Sequence, residues 1–541
     1  MSKKESFVKG TLILAAAALV ARVLGLAQRV PLEHLFNDIG NASFTQANTV
    51  YLMLLPLATA GIPSTLSKMV SERYALNRPH EAQQVYRAAL IFAAVIGVLM
   101  GTALYIAAPY YADYAKVPES TLAIRAIAPA LLLFPSIAMM RGYFQGRNNM
   151  MAGGISQILE QIARVSTAII LAYILLKQGY SNTWMAAGAS FGSVFGSFGA
   201  FGVMLYYAAK MRRSEGQNAL YENNEAKLPL LGIYRDIFTL SIPIVLSSVT
   251  VPVVNFIDTS LIVPLLQGQI GLGPATKALG IYGSRAMSIA GIPPVLSIAL
   301  STSLIPIISA AYARRDEIHL KRQVTLALRI AILTGTPIVV SLVVAAYSVN
   351  GALFSSLDGS GIVAMLTLGT IFQITMMTTN SILLGMGKSR ISMYYVLAGI
   401  IVKLVASFFL SKVFGIYGTI GATALCFIVI TLLNIRMLKT VVNFEIMGKR
   451  WGGFAIAVIA SGGIGYILND TGIMLTHILP ERIAFLITCL IVGVAVVIIY
   501  LVLLIVLGVL SKEEVASYPR ALQKLLRPLM KLQPARARMN D

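Results

Sequence analysis

The sequence predicts an all-α polytopic membrane protein of about fourteen transmembrane helices, built as two six-helix lobes in parallel repeat plus two extra C-terminal helices. Three observations predict it. Over 541 residues the chain is 57% hydrophobic and only 12% charged, with a mean hydropathy of +0.78, far too apolar for a soluble protein of this length. Apolar runs of about 20 residues, enough to span roughly 30 Å of hydrocarbon at 1.5 Å per residue, recur between short polar loops. The basic residues sit in alternate loops: about 32 of the 43 Lys and Arg fall in 1–9, 66–87, 141–147, 210–235, 312–329, 386–390, 436–450 and 511–541. The positive-inside rule places those segments and both termini in the cytoplasm, which requires an even number of helices. The net charge of +21 is therefore a topology signal and an attraction to anionic lipid rather than a nucleic-acid footprint.

Taken in order, the first run, 8–28, follows a basic start but ends in no small-residue cleavage site, so it is expected to be a mature helix and not a signal peptide. The second, 44–65, carries Pro56 and the tetrad Ala60-Gly61-Ile62-Pro63 ahead of a basic loop. Runs at 88–108, 122–140 and 152–175 follow. The sixth, 184–208, has Gly188, Gly192 and Gly196 at four-residue spacing, then Gly199 and Gly202, a stripe that lets a neighbouring helix approach closely. Residues 210–235 form the longest polar connection and are expected to be a cytoplasmic linker. The seventh run, 236–263, holds Pro243 and Pro252. The eighth, 279–311, repeats the tetrad as Ala290-Gly291-Ile292-Pro293 and adds Pro294 and Pro306. Prolines inside spans leave carbonyls without donors and are expected to bend these helices. Runs at 323–347, 362–385, 391–411 and 416–435 complete a second set of six. Met139-Met140 ahead of Gly146-Arg147-Asn148 is matched by Met376-Met377 ahead of Gly387-Lys388-Ser389, a second sign of a parallel repeat. The expected domains are a lobe at 1–209, the linker at 210–235, a lobe at 236–440, and two added helices within 441–510 at 452–469 and 483–510. A basic tail, 511–541, follows. Its Leu522, Leu525, Leu526 and Leu529 make an amphipathic helix on the cytoplasmic leaflet.

Within the spans the ionisable residues are Arg22, Glu160, Arg164, Asp258, Arg285 and Lys403, with Arg29 near the end of the first helix. A guanidinium cannot be neutralised and costs roughly 2.5 to 3.5 kcal/mol at a bilayer centre, so Arg285 should face a wet cavity or an anion. Glu160 and Arg164, four residues apart on one helix, can neutralise each other as a structural ion pair. Asp258 and Lys403 are open to two readings, a pairing between helices or a coupling-ion site. The cationic excess suits an anionic substrate, because arginine forks make bidentate, charge-assisted bonds to phosphate oxygens. It suits a cationic drug poorly.

No nucleotide-binding loop, zinc-protease or nucleophile-elbow motif is present, and His34, His80, His319 and His477 are scattered through loops. The expectation is a transporter rather than an enzyme, with no catalytic residues, metal or cofactor. Cys426 and Cys489 have no ligand spacing and behave as small hydrophobes.

Arg22-Val23-Leu24-Gly25, Ile281-Tyr282-Gly283-Ser284-Arg285, Ser303-Leu304-Ile305-Pro306 and Gly142-Tyr143-Phe144-Gln145-Gly146-Arg147 together resemble the MurJ lipid II flippases. The similarity is greatest to the Gram-positive branch that includes stage V sporulation protein B, within the multidrug/oligosaccharidyl-lipid/polysaccharide exporter superfamily. The resemblance implies two lobes around a cationic central cavity and a groove for a polyprenyl tail at the last two helices. It also implies alternating access that moves undecaprenyl-diphosphate-linked peptidoglycan precursor from inner to outer leaflet of the bacterial plasma membrane. Arg22 and Arg285, with Arg29, would bind the diphosphate. This chain has Leu26-Ala27-Gln28-Arg29 where many members have Phe-Ala-Arg-Asp, displacing the second arginine by one position. Lys403 counts against a carried-over sodium site. The alternatives are a flippase for another polyprenyl-diphosphate oligosaccharide and a drug/cation antiporter of the same superfamily. Expected partners are the lipid-linked anionic substrate, membrane lipids and cell-wall synthesis proteins, with no nucleic acid, acting on a monomer.

Overall fold

The computed structural model describes residues 20–21, 23–59, 61–215, 232, 234–235, 239, 241–242, 245–246 and 249–510. Among them there is no strand, and twelve helices are long and apolar enough to cross a membrane. The protein is an all-α polytopic membrane protein. Most of the first expected span, Pro243, most of the expected linker and the basic tail lie outside the described residues.

The chain divides into two compact units, Met1–Ser284 and Arg285–Asp541. The first contains α1 (23–35), α2 (Asp38–Thr59), α3 (Ile62–Ala75), α4 (Pro79–Tyr114), α5 (Ser120–Ile127), α6 (Ala130–Gly146), α7 (Met150–Lys177), α8 (Asn182–Glu215), α9 (Thr250–Ile270) and α10 (Leu272–Ile281). Its core gathers Leu32, Phe44, Tyr51, Ile124, Leu131 and Met185. The second contains α11 (Met287–Ala290), α12 (Pro294–Ala313), α13 (Glu317–Val344), α14 (Ala346–Phe354), α15 (Ser360–Gly385), α16 (Ser389–Phe414), α17 (Ile416–Lys439), α18 (Trp451–Ile473) and α19 (Glu481–Val506). There α12, α13 and α15 pack through Leu304, Ile308, Val324, Leu328 and Ile382. Tyr500 of α19 donates to the Leu333 carbonyl of α13 at 3.2 Å, fastening the last described helix to the unit's core.

Two expected spans are broken where the sequence repeats Gly-Ile-Pro. Instead of one helix over 44–65, α2 ends at Thr59 and α3 begins at Ile62, with Gly61 at φ 63 between them. That left-handed backbone admits glycine at little cost. The eighth expected span, 279–311, is divided further: α10, a π-helical turn at Tyr282–Ala286, α11, then α12 from Pro294. Pro63 and Pro294 occupy the first turns of α3 and α12, so these prolines start helices instead of bending them. Their missing N–H is one that the first helical turn leaves unbonded anyway. Other helices overrun their expected ends, and α4, at 36 residues, is about 54 Å long, well beyond the hydrocarbon thickness.

Close backbone approach organises each unit. In the first, a Cβ on Gly142 would lie 2.6 Å from the Pro63 carbonyl oxygen and one on Gly146 2.6 Å from that of Ser67, so α6 rests on the backbone of α3. In the second, a Cβ on Gly385 would lie 3.0 Å from the Ile305 carbonyl oxygen, the same contact between α15 and α12. The glycine stripe of α8 works likewise against α7: a Cβ on Gly192 would lie 2.7 Å from the Arg164 carbonyl oxygen and one on Gly196 2.9 Å from that of Glu160, whereas Gly202 has nothing within 4 Å. Gly192→Leu is therefore expected to destabilise the first unit by about 2 kcal/mol or more through overpacking. A detergent thermal melt unchanged by Gly192→Leu would show that α7 and α8 are not in backbone contact.

Candidate functional site

The Arg285 side chain leaves the helix within the π-helical turn Tyr282–Ala286. A π turn inserts a residue into the helical repeat and rotates the side chains that follow, a local distortion common at functional sites. It brings the guanidinium to the loop between α14 and α15, where Nη1 donates to Ser356 Oγ at 3.0 Å and to the Asp358 carbonyl at 2.9 Å. The Phe354 ring lies 5.8 Å from the guanidinium carbon. The Ser356 hydroxyl and the Asp358 carbonyl are two acceptors that orient the guanidinium fork. The π turn itself was not legible in the sequence.

A second cationic group lies inside the first unit. Arg29 stands 4.9 Å over the Phe44 ring, and its charged neighbours are Arg164 and Glu33. Arg29 Nη1 and Arg164 Nε are both buried without a hydrogen-bond partner. The buried Tyr51 hydroxyl bonds Ser197 and lies within electrostatic reach of Glu160, Arg164 and Arg141. The two neighbouring guanidinium groups repel each other, a repulsion that Glu33 beside Arg29 offsets in part. Arg22, the third expected cationic residue, lies outside the described residues.

The expected ion pair between Glu160 and Arg164 is not formed. Glu160 Oε2 accepts from Arg141 Nη2 at 2.8 Å, and Arg141 also donates to Ser156 Oγ at 2.8 Å. Arg164 turns instead to Gln161 Oε1 at 2.6 Å. Spacing of i, i+4 permits a pair but does not compel one when a neighbouring helix supplies a better-placed cation. Arg141, counted from sequence among the loop cations, is on α6, and α6 packs beside α7.

Asp258 is fully buried on α9 and accepts from the Tyr282 hydroxyl at 3.0 Å. Lys403 is fully buried on α16, where Nζ donates to Thr423 Oγ1 of α17 at 2.6 Å. Uncharged polar residues escaped the sequence reading because charge was its only signal. Gln46 on α2 is fully buried with neither amide atom hydrogen-bonded. In the second unit Asn434 Nδ2 donates to Thr379 Oγ1 at 3.0 Å and to Asn380 Oδ1 at 2.7 Å, tying α17 to α15.

Residues 7–312 match the family model described as polysaccharide biosynthesis protein. The chain is 28% identical over 437 residues to the uncharacterized membrane protein YabM of Bacillus subtilis (strain 168), covering 81% of each. It is 25% identical over 471 residues to the lipid II flippase MurJ of the same organism, covering 83% of this chain and 86% of MurJ. A solved structure of lipid II flippase MurJ in an inward closed conformation superposes with a TM-score of 0.63 at 15% identity, over 90% of this chain and 98% of that one. At that identity the superposition establishes a shared fold.

Proposed function

This chain belongs to the polysaccharide biosynthesis protein family, and on that footing we propose that it is a flippase carrying lipid II from the inner to the outer leaflet by alternating access along a cationic path. The observation that carries the reading is the pair of neighbouring guanidinium groups, Arg29 and Arg164, each with a buried N–H lacking an acceptor. A passing diphosphate would supply those acceptors and add negative charge beside the two guanidinium groups. Arg285, oriented by Ser356 and the Asp358 carbonyl, is the second phosphate-binding group, and Arg22 the third. The similarity to a lipid II flippase supports this choice of cargo. The termini are cytoplasmic by the distribution of basic loops, and cell-wall synthesis proteins are the natural neighbours of such a carrier, which acts as a monomer.

A second reading, a flippase for another polyprenyl-diphosphate oligosaccharide, fits the family description as polysaccharide biosynthesis protein and uses the same phosphate chemistry. A cation antiporter would want interior acids without cationic partners, but Glu160 is paired with Arg141. Depletion of the protein in its native cell, followed by assay of inner-leaflet lipid-linked sugars, separates the readings. Accumulation of lipid II supports the first. Accumulation of a different polyprenyl-diphosphate sugar, with lipid II unchanged, supports the second and overturns the first. Accumulation of neither overturns both.

A further inference from the structure

The turn joining α6 to α7 carries a motif, Gly142 to Arg147, to which the proposed function assigns no role. Gly146 presses on α3, Asn148 adopts φ 59, and Asn149 caps α7 by accepting from the Ala152 N–H at 3.4 Å. Between them Arg147 lies against two aromatic rings, 4.9 Å from that of Tyr74 and 5.7 Å from that of Tyr143. Tyr86 stacks on Tyr143 at 4.1 Å, and Arg147 also contacts Met211 of α8. Aromatic faces hold a guanidinium in place and leave it charged.

Beside it is a cavity of about 310 Å³ lined by Phe144, Arg147, Asn149, Tyr207, Lys210 and Met211. Among the described residues the lining contains two cations and no carboxylate, and through Asn149 it meets the first turn of the 28-residue α7, whose N–H groups favour an anion. The volume is at the small end of ligand pockets. It is large enough for a phosphodiester headgroup. Leading away from the cavity along α7, Met151, Ile155, Leu159 and Ile162 are exposed at three- and four-residue spacing, an apolar stripe of acyl-chain character. The turn belongs to the basic set of loops, the side on which anionic lipid is attracted.

We propose that this cavity binds the phosphodiester headgroup of an anionic phospholipid, with Arg147 and Lys210 on the phosphate oxygens and the acyl chains along α7. The site is separate from the translocation path and does not depend on which sugar is carried. The test is native mass spectrometry of the full chain in detergent with added phosphatidylglycerol or phosphatidylcholine. Phosphatidylglycerol is expected to be retained in preference, and Lys210→Gln to weaken retention about fivefold, the loss that one basic group near an anionic surface implies. Lys210 is exposed, so this variant leaves the fold intact. Arg147→Gln should weaken retention further. Equal retention of the two lipids, unchanged retention in Lys210→Gln, or an equal loss in the distant Lys177→Gln would overturn the proposal. Displacement of the lipid by millimolar inorganic phosphate would assign the cavity to free phosphate and overturn it as well.

Discussion

Arg285→Ala is expected to lower translocation by on the order of 100-fold in reconstituted vesicles, while the protein stays inserted and folded. The expected size is the low end of what removing two charge-assisted bonds to a diphosphate implies, each worth about 1.5 to 3 kcal/mol. Stability should change much less. The guanidinium holds the Ser356 hydroxyl and the Asp358 carbonyl. Asp358 also receives the Asn350 amide at 2.8 Å, so the loop keeps a second tie when Arg285 is gone. Arg285→Lys keeps the charge and loses the planar fork, and it should fall between the two. Flux in Arg285→Ala equal to wild type would remove this residue from the translocation path. A thermal melt lowered equally by both substitutions would make its role structural.

Glu160→Gln is expected to destabilise the first unit by about 3 kcal/mol, because it leaves the Arg141 guanidinium partly buried without its carboxylate. The side chains of the pair are 20% and 12% exposed, which puts the cost at the low end for buried pairs. Adding Arg141→Gln should restore most of the loss, whereas adding Arg164→Gln should not, since Arg164 is bonded to Gln161. A double-mutant cycle on thermal unfolding decides between the two partners. Coupling to Arg164 rather than Arg141 would place the ion pair along α7 instead of between α6 and α7.

The glycine stripe shows how one packing contact underlies both results. Gly192 and Gly196 of α8 lie on the backbone of Arg164 and Glu160 themselves, so α7 is held close enough to α8 and α6 for Glu160 to meet Arg141. The stripe was visible in sequence as four-residue spacing. Its consequence was not, because spacing along one helix does not say which neighbour a side chain will find. Asn434 and Gln46 were invisible for a different reason: a buried amide has no charge to mark it in an apolar run, and only its surroundings show that it is buried.

The sequence alone determined the membrane class, most of the spans and the alternation of basic loops, since hydrocarbon thickness and the cost of a charge in oil act on composition along the chain. It also marked Arg285 as a residue that needs an anion or a wet surrounding. The tertiary structure decided the breaks at Gly61 and Gly291, the π turn that carries Arg285, and the choice of Arg141 over Arg164 as partner of Glu160. Those outcomes depend on which backbones meet across space, a quantity set by packing between helices distant in the chain and by no local pattern within any one of them.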